Sequence, residues 1–209
     1  MSHTRSADPP SPTRVLVIGD SLTYDAPDNW VNVLAARHPS VEPYIEAHGG
    51  WTTKSFFKAK FDGLAFANVP DAFDVLVILL GSNNLFEARG GSDAAVAEAV
   101  DGVRAIAAHV MRRSPDAGVV LVAPPTVALG NYQPPPPEDD RRMTEQSPAW
   151  LQKLGDAYRG LAADKGWGFV DLFPVLGDDD FFDAAHPTAA GQTKMADRIE
   201  PALLDRLRG

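Results

Sequence analysis

Two short stretches near opposite ends of the chain carry side chains whose types and spacing suit nucleophilic chemistry. One is Gly19-Asp20-Ser21-Leu22-Thr23, and the other is Asp183-Ala184-Ala185-His186-Pro187-Thr188. A serine hydroxyl is a poor nucleophile at neutral pH and needs a base beside it. A histidine serves when an acceptor takes its Nδ1 proton, fixes the tautomer and leaves Nε2 free. An aspartate three residues earlier in a tight turn can be that acceptor. Read singly, each stretch has a plainer use: Asp20, Ser21 or Thr23 can cap a helix, and His186 can be structural near a helix start. The remaining histidines fit the base less well. His3 lies in a polar, proline-rich start, His38 and His109 fall in helical patterns, and only His48 falls in a loop at the expected ligand-binding rim.

Acyl transfer also requires donors aimed at the oxygen that gains charge in the tetrahedral state. Two further loops offer them. In His48-Gly49-Gly50-Trp51-Thr52-Thr53 glycine lets a backbone N–H approach a ligand closely, and in Gly81-Ser82-Asn83-Asn84 the side-chain amides can donate. Both loops also read as ordinary turn chemistry. Asn83 and Asn84 are adjacent, and in an extended turn neighbours point to different sides, so one of the two is expected to reach the oxyanion.

The elements that must hold these loops follow from hydrophobic patterning. Short β-branched runs at residues 14–19, 43–47, 74–80, 118–123 and 168–172 read as strands buried on both faces. Helical patterns cover 27–38, 53–64, 92–113, 147–165 and 188–207. The third is the clearest, with Val96, Val100, Val103, Ala107, Val110 and Met111 recurring at three- and four-residue steps. Ser147 before Pro148 reads as an N-cap with proline at the first helical position, and Pro201 is expected to kink or divide the last helix. Strict alternation of strand and helix implies a parallel sheet covered on both sides by right-handed crossovers. The expected fold is a single-domain, flavodoxin-like three-layer α/β/α sandwich over residues 14–209, with a five-stranded sheet in the order 2-1-3-4-5. Ligands in such sheets bind beyond the carboxyl ends of the strands, which is where all four loops fall. The stretch from Gly130 to Gln146, with four consecutive prolines, breaks the rhythm and is expected as a long loop forming a wall or lid at that same rim.

Composition bounds the alternatives. A chain of 209 residues with 44% hydrophobic and 22% charged residues has the make-up of an ordinary globular domain. A net charge of −9 disfavours binding to nucleic acid or anionic membranes, which need a basic footprint. The absence of cysteine removes disulfides, thiolate metal sites and cysteine nucleophiles. Residues 1–13 are polar and read as a flexible tail, not a signal peptide, and the longest apolar run, Val75 to Leu80, is too short to span a bilayer. With Met1 as the native start, the expected location is the cytoplasm. Asp178, Asp179 and Asp180 lack the spacing of a calcium loop and are expected to form a solvated turn.

Taken together, the four loops resemble the SGNH hydrolase superfamily, also called the GDSL family. GDSLT resembles its first motif, which implies Ser21 as nucleophile and its backbone N–H as one oxyanion donor. The second motif's glycine maps to Gly50, because Trp51, Thr52 and Thr53 follow as a variable residue and two small hydroxylated ones. GSNN resembles G-x-N-D and implies Asn83 as the side-chain donor, while DAAHP resembles D-x-x-H-P and implies Asp183 and His186. The resemblance spans residues 14–207 and departs at Asn84, where the family usually has an aspartate that lies outside the triad and bears on support of the loop. It implies a serine-dependent hydrolase of small esters acting through an acyl-Ser21 intermediate, without metal or organic cofactor. An acyltransferase using the same triad is an alternative. A flavodoxin-like nucleotide or flavin binder is a second, although Asp20 and Asp183 on the rim would repel phosphate. The α/β-hydrolase fold needs a G-x-S-x-G elbow, and the sequence has none.

Overall fold

A computed structural model of the chain describes residues 11–24, 27–58, 61–134 and 141–208. Most of the expected N-terminal tail, residues 1–10, and the prolines and acidic residues at 135–140 lie outside the described residues. Strands β1 (Thr13–Gly19), β2 (Val41–Ala47), β3 (Val75–Leu79), β4 (Gly118–Ala123) and β5 (Gly168–Asp171) form one parallel sheet in the order β2-β1-β3-β4-β5. In the register, Gly19 lies beside Ala47 and Leu79, and Ala123 beside Asp171, so all five carboxyl ends meet at one rim. The second strand starts at Val41 rather than Pro43. Its edge position explains why a proline is tolerated inside it, since an edge strand has one side free of ladder bonds.

Successive side chains of each strand point to opposite faces, and both faces are covered. Leu16, Ile18, Leu76, Ile78 and Leu121 pack beneath helices α3 (Asp93–Val110) and α4 (Ser147–Lys165). Val15, Val17, Val75, Val77, Val120 and Val122 pack beneath α1 (Trp30–Arg37) and α5 (Ala189–Arg206). Of the expected stripe in α3, Val96, Val103, Ala107 and Val110 are buried, joined by Ile106, while Val100 and Met111 are partly buried at its edge. Burying each of the larger aliphatic side chains contributes about 1.5–3 kcal/mol relative to exposure. The short helix α2 (Ser82–Glu87) follows β3 directly.

Three local expectations are corrected. No α-helix forms among the described residues of 53–64; a 3-10 turn at Ser55–Phe57 is followed by further turns. Thr53 N–H donates to the Asn84 side chain, positive φ at Gly63 breaks the helical path, and Trp51, Phe56, Phe61 and Phe66 pack edge to face or tilted instead. Ser147 is the first residue of α4, not its cap, and its Oγ accepts from Thr144 N–H at 2.9 Å. Pro201 sits inside α5 without dividing it.

The start of α5 is packed against the loop that precedes it. A Cβ on Gly191 would lie 2.6 Å from the Asp180 carbonyl oxygen and 2.9 Å from Pro187 Cβ. Gly191→Ala is therefore expected to lower stability by about 1–2 kcal/mol despite alanine's higher helix propensity, as overpacking against backbone costs more than propensity returns. Urea unfolding checks this, and an unchanged or raised midpoint would contradict the close packing.

Candidate active site

The chain leaves β1 through a tight turn in which Thr23 N–H bonds the Asp20 carbonyl at 3.1 Å and Leu22 N–H bonds Asp20 Oδ1 at 3.0 Å. This turn places Ser21 at the rim, two residues beyond the end of the strand. Gln192 on α5 grips the same turn, accepting from Trp30 N–H at 3.0 Å and donating to the Leu22 carbonyl at 3.4 Å. The serine loop is thus tied directly to the helix that follows His186.

The segment carrying Asp183 and His186 is closed by an antiparallel bridge between Phe181 and Pro187. Asp183 Oδ1 accepts the backbone N–H groups of Ala185 and His186, both at 2.7 Å. Its Oδ2 lies 2.7 Å from His186 Nδ1, and His186 Nε2 lies 2.9 Å from Ser21 Oγ. Burial acts to raise the Asp183 pKa, but the bonds from the His186 ring and the two backbone N–H groups outweigh it and hold the carboxyl below its ordinary value. An ionised carboxylate only accepts, so the Nδ1 proton points to Asp183 and Nε2 is left to take the serine proton. The side chains of His186 and Asp183 are 37% and 44% exposed, so the pair adds little to stability. What it supplies is orientation.

The two glycine-bearing loops flank Ser21. Gly50 has φ +74°, a left-handed conformation that disfavours a side chain, and a Cβ there would lie 2.6 Å from Arg141 Nη1. Among the described residues, the backbone N–H groups of Ser21 and Gly50 donate to no protein acceptor, and both residues line the same cavity. Gly81 has φ +118°, and a Cβ there would lie 2.4 Å from the Tyr158 hydroxyl, which donates to the Leu80 carbonyl at 2.9 Å. After it, Asn83 and Asn84 lie in the first turn of α2, which begins at Ser82, and not in an extended turn. Consecutive helical residues point about 100° apart, so the expected divergence of the two side chains arises from helix geometry. Asn83 Nδ2 bonds Asp20 Oδ2 at 3.2 Å and the Trp51 carbonyl at 3.0 Å. Asn84 turns away: its Oδ1 accepts Thr53 N–H at 3.1 Å, and its Nδ2 bonds Thr53 Oγ1 at 3.1 Å and Glu98 Oε1 at 2.8 Å. Asn84 thereby fastens the Gly50 loop to α2 and reaches a carboxylate on α3 as well.

These residues open onto a cavity of about 800 Å³. Leu22, Phe86, Val127, Met143 and Leu151 give it apolar walls, and Asn131, Tyr132, Arg141 and Arg142 bring the loop after β4 to its edge. The described parts of the stretch 130–146 therefore form one wall, pinned where Met143 N–H bonds the Tyr132 hydroxyl at 3.1 Å. At the mouth, Phe182 is 70% exposed and stacks beside the His186 ring at 5.8 Å between centroids. Asp178, Asp179 and Asp180 form a 3-10 turn, but only in part a solvated one, since Asp180 is buried and bonded to Lys194 Nζ at 2.7 Å. No cluster among the described residues is suited to hold a metal ion. No helix among them is long and apolar enough to cross a membrane.

Several contributors escape a reading by motif. Glu46, fully buried in β2, lies 2.5 Å from His48 Nε2, and the His48 ring stacks on Trp51 at 3.8 Å, bracing the Gly50 loop. Sequence offers little signal for them: β2 carries two acidic residues, Glu42 and Glu46, and only the assembled sheet shows that Glu46 is the buried one. Asp20 belongs to the first motif, but the structure places it buried beneath the serine loop instead of exposed on the rim.

The pattern of the GDSL-like lipase/acylhydrolase family matches residues 17–194. No curated protein matches the chain. A carbohydrate acetylesterase family member from Sinorhizobium meliloti is similar in structure at 21% identity, with a TM-score of 0.69 over 94% of this chain and 100% of that one. The aryl esterase of M. smegmatis is similar at 20% identity, with a TM-score of 0.67 over 91% and 99%. A member of the lipolytic protein G-D-S-L family from Veillonella parvula DSM 2008 is similar at 15% identity, with a TM-score of 0.67 over 92% and 98%. At these identities the solved structures establish the fold.

Burial pushes the Asp20 pKa from 3.8 up to about 6, against bonds from Leu22 and Ser82 and the charge of His186, which lower it. The folded carboxyl keeps its proton to higher pH than the unfolded one. Its contribution to stability therefore falls as pH rises through this window and costs up to roughly 3 kcal/mol above it, about 1.4 kcal/mol per unit. Urea unfolding of Asp20→Asn against the wild type should show a stability difference moving in the variant's favour between about pH 4 and about pH 7. A difference independent of pH would show that the carboxyl titrates normally.

Proposed function

Because the chain belongs to the GDSL-like lipase/acylhydrolase family, we propose that it is a serine-dependent carboxylic ester hydrolase that acts on small esters through an acyl-Ser21 intermediate. The observation that carries this reading is the bonded series Ser21 Oγ, His186 Nε2, His186 Nδ1 and Asp183 Oδ2, with distances of 2.9 and 2.7 Å. Ser21 Oγ attacks the ester carbonyl as Nε2 takes its proton, and the imidazolium then protonates the departing alcohol. Water, deprotonated by the same nitrogen, attacks the acyl-serine and releases the acid, restoring Ser21. The tetrahedral oxyanion is met by the N–H groups of Ser21 and Gly50 and by an Asn83 amide hydrogen. Both amide hydrogens already have protein acceptors, Asp20 Oδ2 at 3.2 Å and the Trp51 carbonyl at 3.0 Å, so the one directed at Asp20 would be shared between that carboxylate and the oxyanion.

Two features support a small ester and water as acceptor. The cavity of about 800 Å³ suits a small substrate with an apolar portion. The His186 side chain is 37% exposed, which lets water reach the acyl-enzyme and favours hydrolysis over transfer to another alcohol. The names of similar structures, a carbohydrate acetylesterase family member and an aryl esterase, fit the same substrate class. A panel of p-nitrophenyl esters of increasing chain length beside acetylated sugars tests the reading. Turnover of short esters, abolished in Ser21→Ala, is the expected result, and undiminished turnover in that variant would refute it.

Asn83 and Asn84 separate the donor from its support. Asn83→Ala is expected to fold normally and to lose about 10²–10³ in kcat, roughly 3–4 kcal/mol, with KM little changed, because an oxyanion donor acts on the transition state. Asn84→Ala leaves the buried Thr53 N–H without its acceptor and takes one donor from Glu98, which keeps Lys54; it is expected to lose about 1–3 kcal/mol of stability, with activity falling only as the loop loosens. Paired kinetics and urea unfolding check this; the reverse pattern would exchange the two roles.

A further inference from the structure

Asp20 is a buried carboxylate that the proposed chemistry does not consume. It is 0% exposed, and its two oxygens are divided between the serine loop and α2. Oδ1 accepts Leu22 N–H at 3.0 Å, while Oδ2 accepts the Ser82 hydroxyl at 3.1 Å and Asn83 Nδ2 at 3.2 Å. An ionised carboxylate has no hydrogen to donate, so it imposes an orientation on each partner. A side-chain amide presents a donor edge and an acceptor edge, and only the donor edge satisfies Asp20. The Trp51 carbonyl, 3.0 Å from the same nitrogen, imposes the same choice.

We propose that Asp20 is a positioning residue for the oxyanion donor: its carboxylate holds the Asn83 amide with the N–H edge toward the serine loop. This rests on the reading of the site as a serine ester hydrolase. A flipped amide would place a carbonyl oxygen where negative charge develops, repelling the transition state instead of stabilising it. The bond to Leu22 joins this orientation to the turn that presents Ser21, so nucleophile and donor are set by one side chain. Ser82, held by the same oxygen, fixes the first turn of α2, from which Asn83 projects.

The charge has few neighbours to answer it. Facing Asp20 are Ser82 and Asn83 from α2, Leu22 N–H from its own loop, the His186 ring from the loop after β5, and the Tyr158 phenol from α4. Burial, with Asp20 nearby, pushes the phenol pKa up, so Tyr158 stays neutral. His186 is the one group among these able to carry positive charge, which it does when it holds the serine proton. Asp20 thus has two possible routes to the reaction, through the Asn83 amide and through the imidazolium, and the proposal assigns its main effect to the first.

A double-mutant cycle separates them. Asp20→Asn keeps the shape of the side chain but presents an NH2 group that can face the amide and permit its flip. It is expected to lower kcat for a short p-nitrophenyl ester by tenfold or more with KM little changed, while in the Asn83→Ala background the same substitution costs less than threefold. Asp20→Glu, which keeps the charge but moves it, is expected not to restore the rate. A full loss persisting in the Asn83→Ala background, or accompanied by a shift of the acidic limb of the pH profile with that limb alone accounting for the loss, would overturn the proposal in favour of the imidazolium. A second measurement needs no turnover. In 15N NMR of the intact protein, the Asn83 side-chain amide should follow the titration of Asp20, and the response should vanish in Asp20→Asn. An amide indifferent to that titration would overturn the assignment, whether or not the protein hydrolyses esters.

Discussion

The hydrogen bond between Ser21 Oγ and His186 Nε2 joins residues 165 positions apart in the chain, and it tolerates little displacement. Its length of 2.9 Å leaves only tenths of an ångström before a hydroxyl proton is out of reach. Neither end is held by its own neighbours alone. Ser21 is presented by a turn that Asp20 closes from within and Gln192 grips from α5. His186 is presented by a loop that Asp183 closes from within, that the Phe181–Pro187 bridge pinches, and that Ala128 N–H ties to the loop after β4 at 2.9 Å. The parallel sheet makes this possible because every strand delivers its following loop to the same rim. Its two apolar faces supply the stability that holds the rim rigid.

A site built this way places charge where folding alone would not. Asp20 lies buried, its ionisation opposed by its surroundings, and Glu46 is buried nearby with His48 against it. Each side chain costs desolvation and returns geometry, since carboxylates dictate the orientation of whatever donates to them. Asp183 differs in being partly exposed, with its charge favoured by three donors. The two aspartates beside the reacting groups are thereby pushed in opposite directions, one toward holding its proton and the other toward losing it. That divergence follows from burial and bonding, not from residue type, and gives each carboxyl a different duty.

Much of this is legible in the sequence because it is written in local patterns. Continuous β-branched runs such as Val75–Leu80 read as strands buried on both sides, and their alternation with helices implies a parallel sheet covered on both faces. Ser21, His186 and Asp183 can be named from residue type, spacing and the rim to which each strand leads. The misreadings have physical causes. Thr53 to Leu64 carries apolar residues at helical intervals, yet aromatic rings packed against one another, and a loop fastened by Asn84, satisfy the segment without helical bonds. α2 is too short to show a period, and Pro43 hides the start of a strand whose edge position is known only from the assembled sheet. The bond from Asn83 to Asp20 links residues 63 apart through the neighbouring strands β1 and β3. No spacing rule reveals such a bond, because it depends on which strands become neighbours.

The central claim is that Ser21 is the nucleophile and His186 its base. Mass spectrometric mapping after treatment with a fluorophosphonate tests it most directly, since the reagent marks only a serine whose hydroxyl is activated. The account predicts a single adduct on Ser21, absent in Ser21→Ala and strongly slowed in His186→Ala. An adduct on a different serine with Ser21 unmodified, or equal labelling of Ser21 after removal of the imidazole, would contradict it.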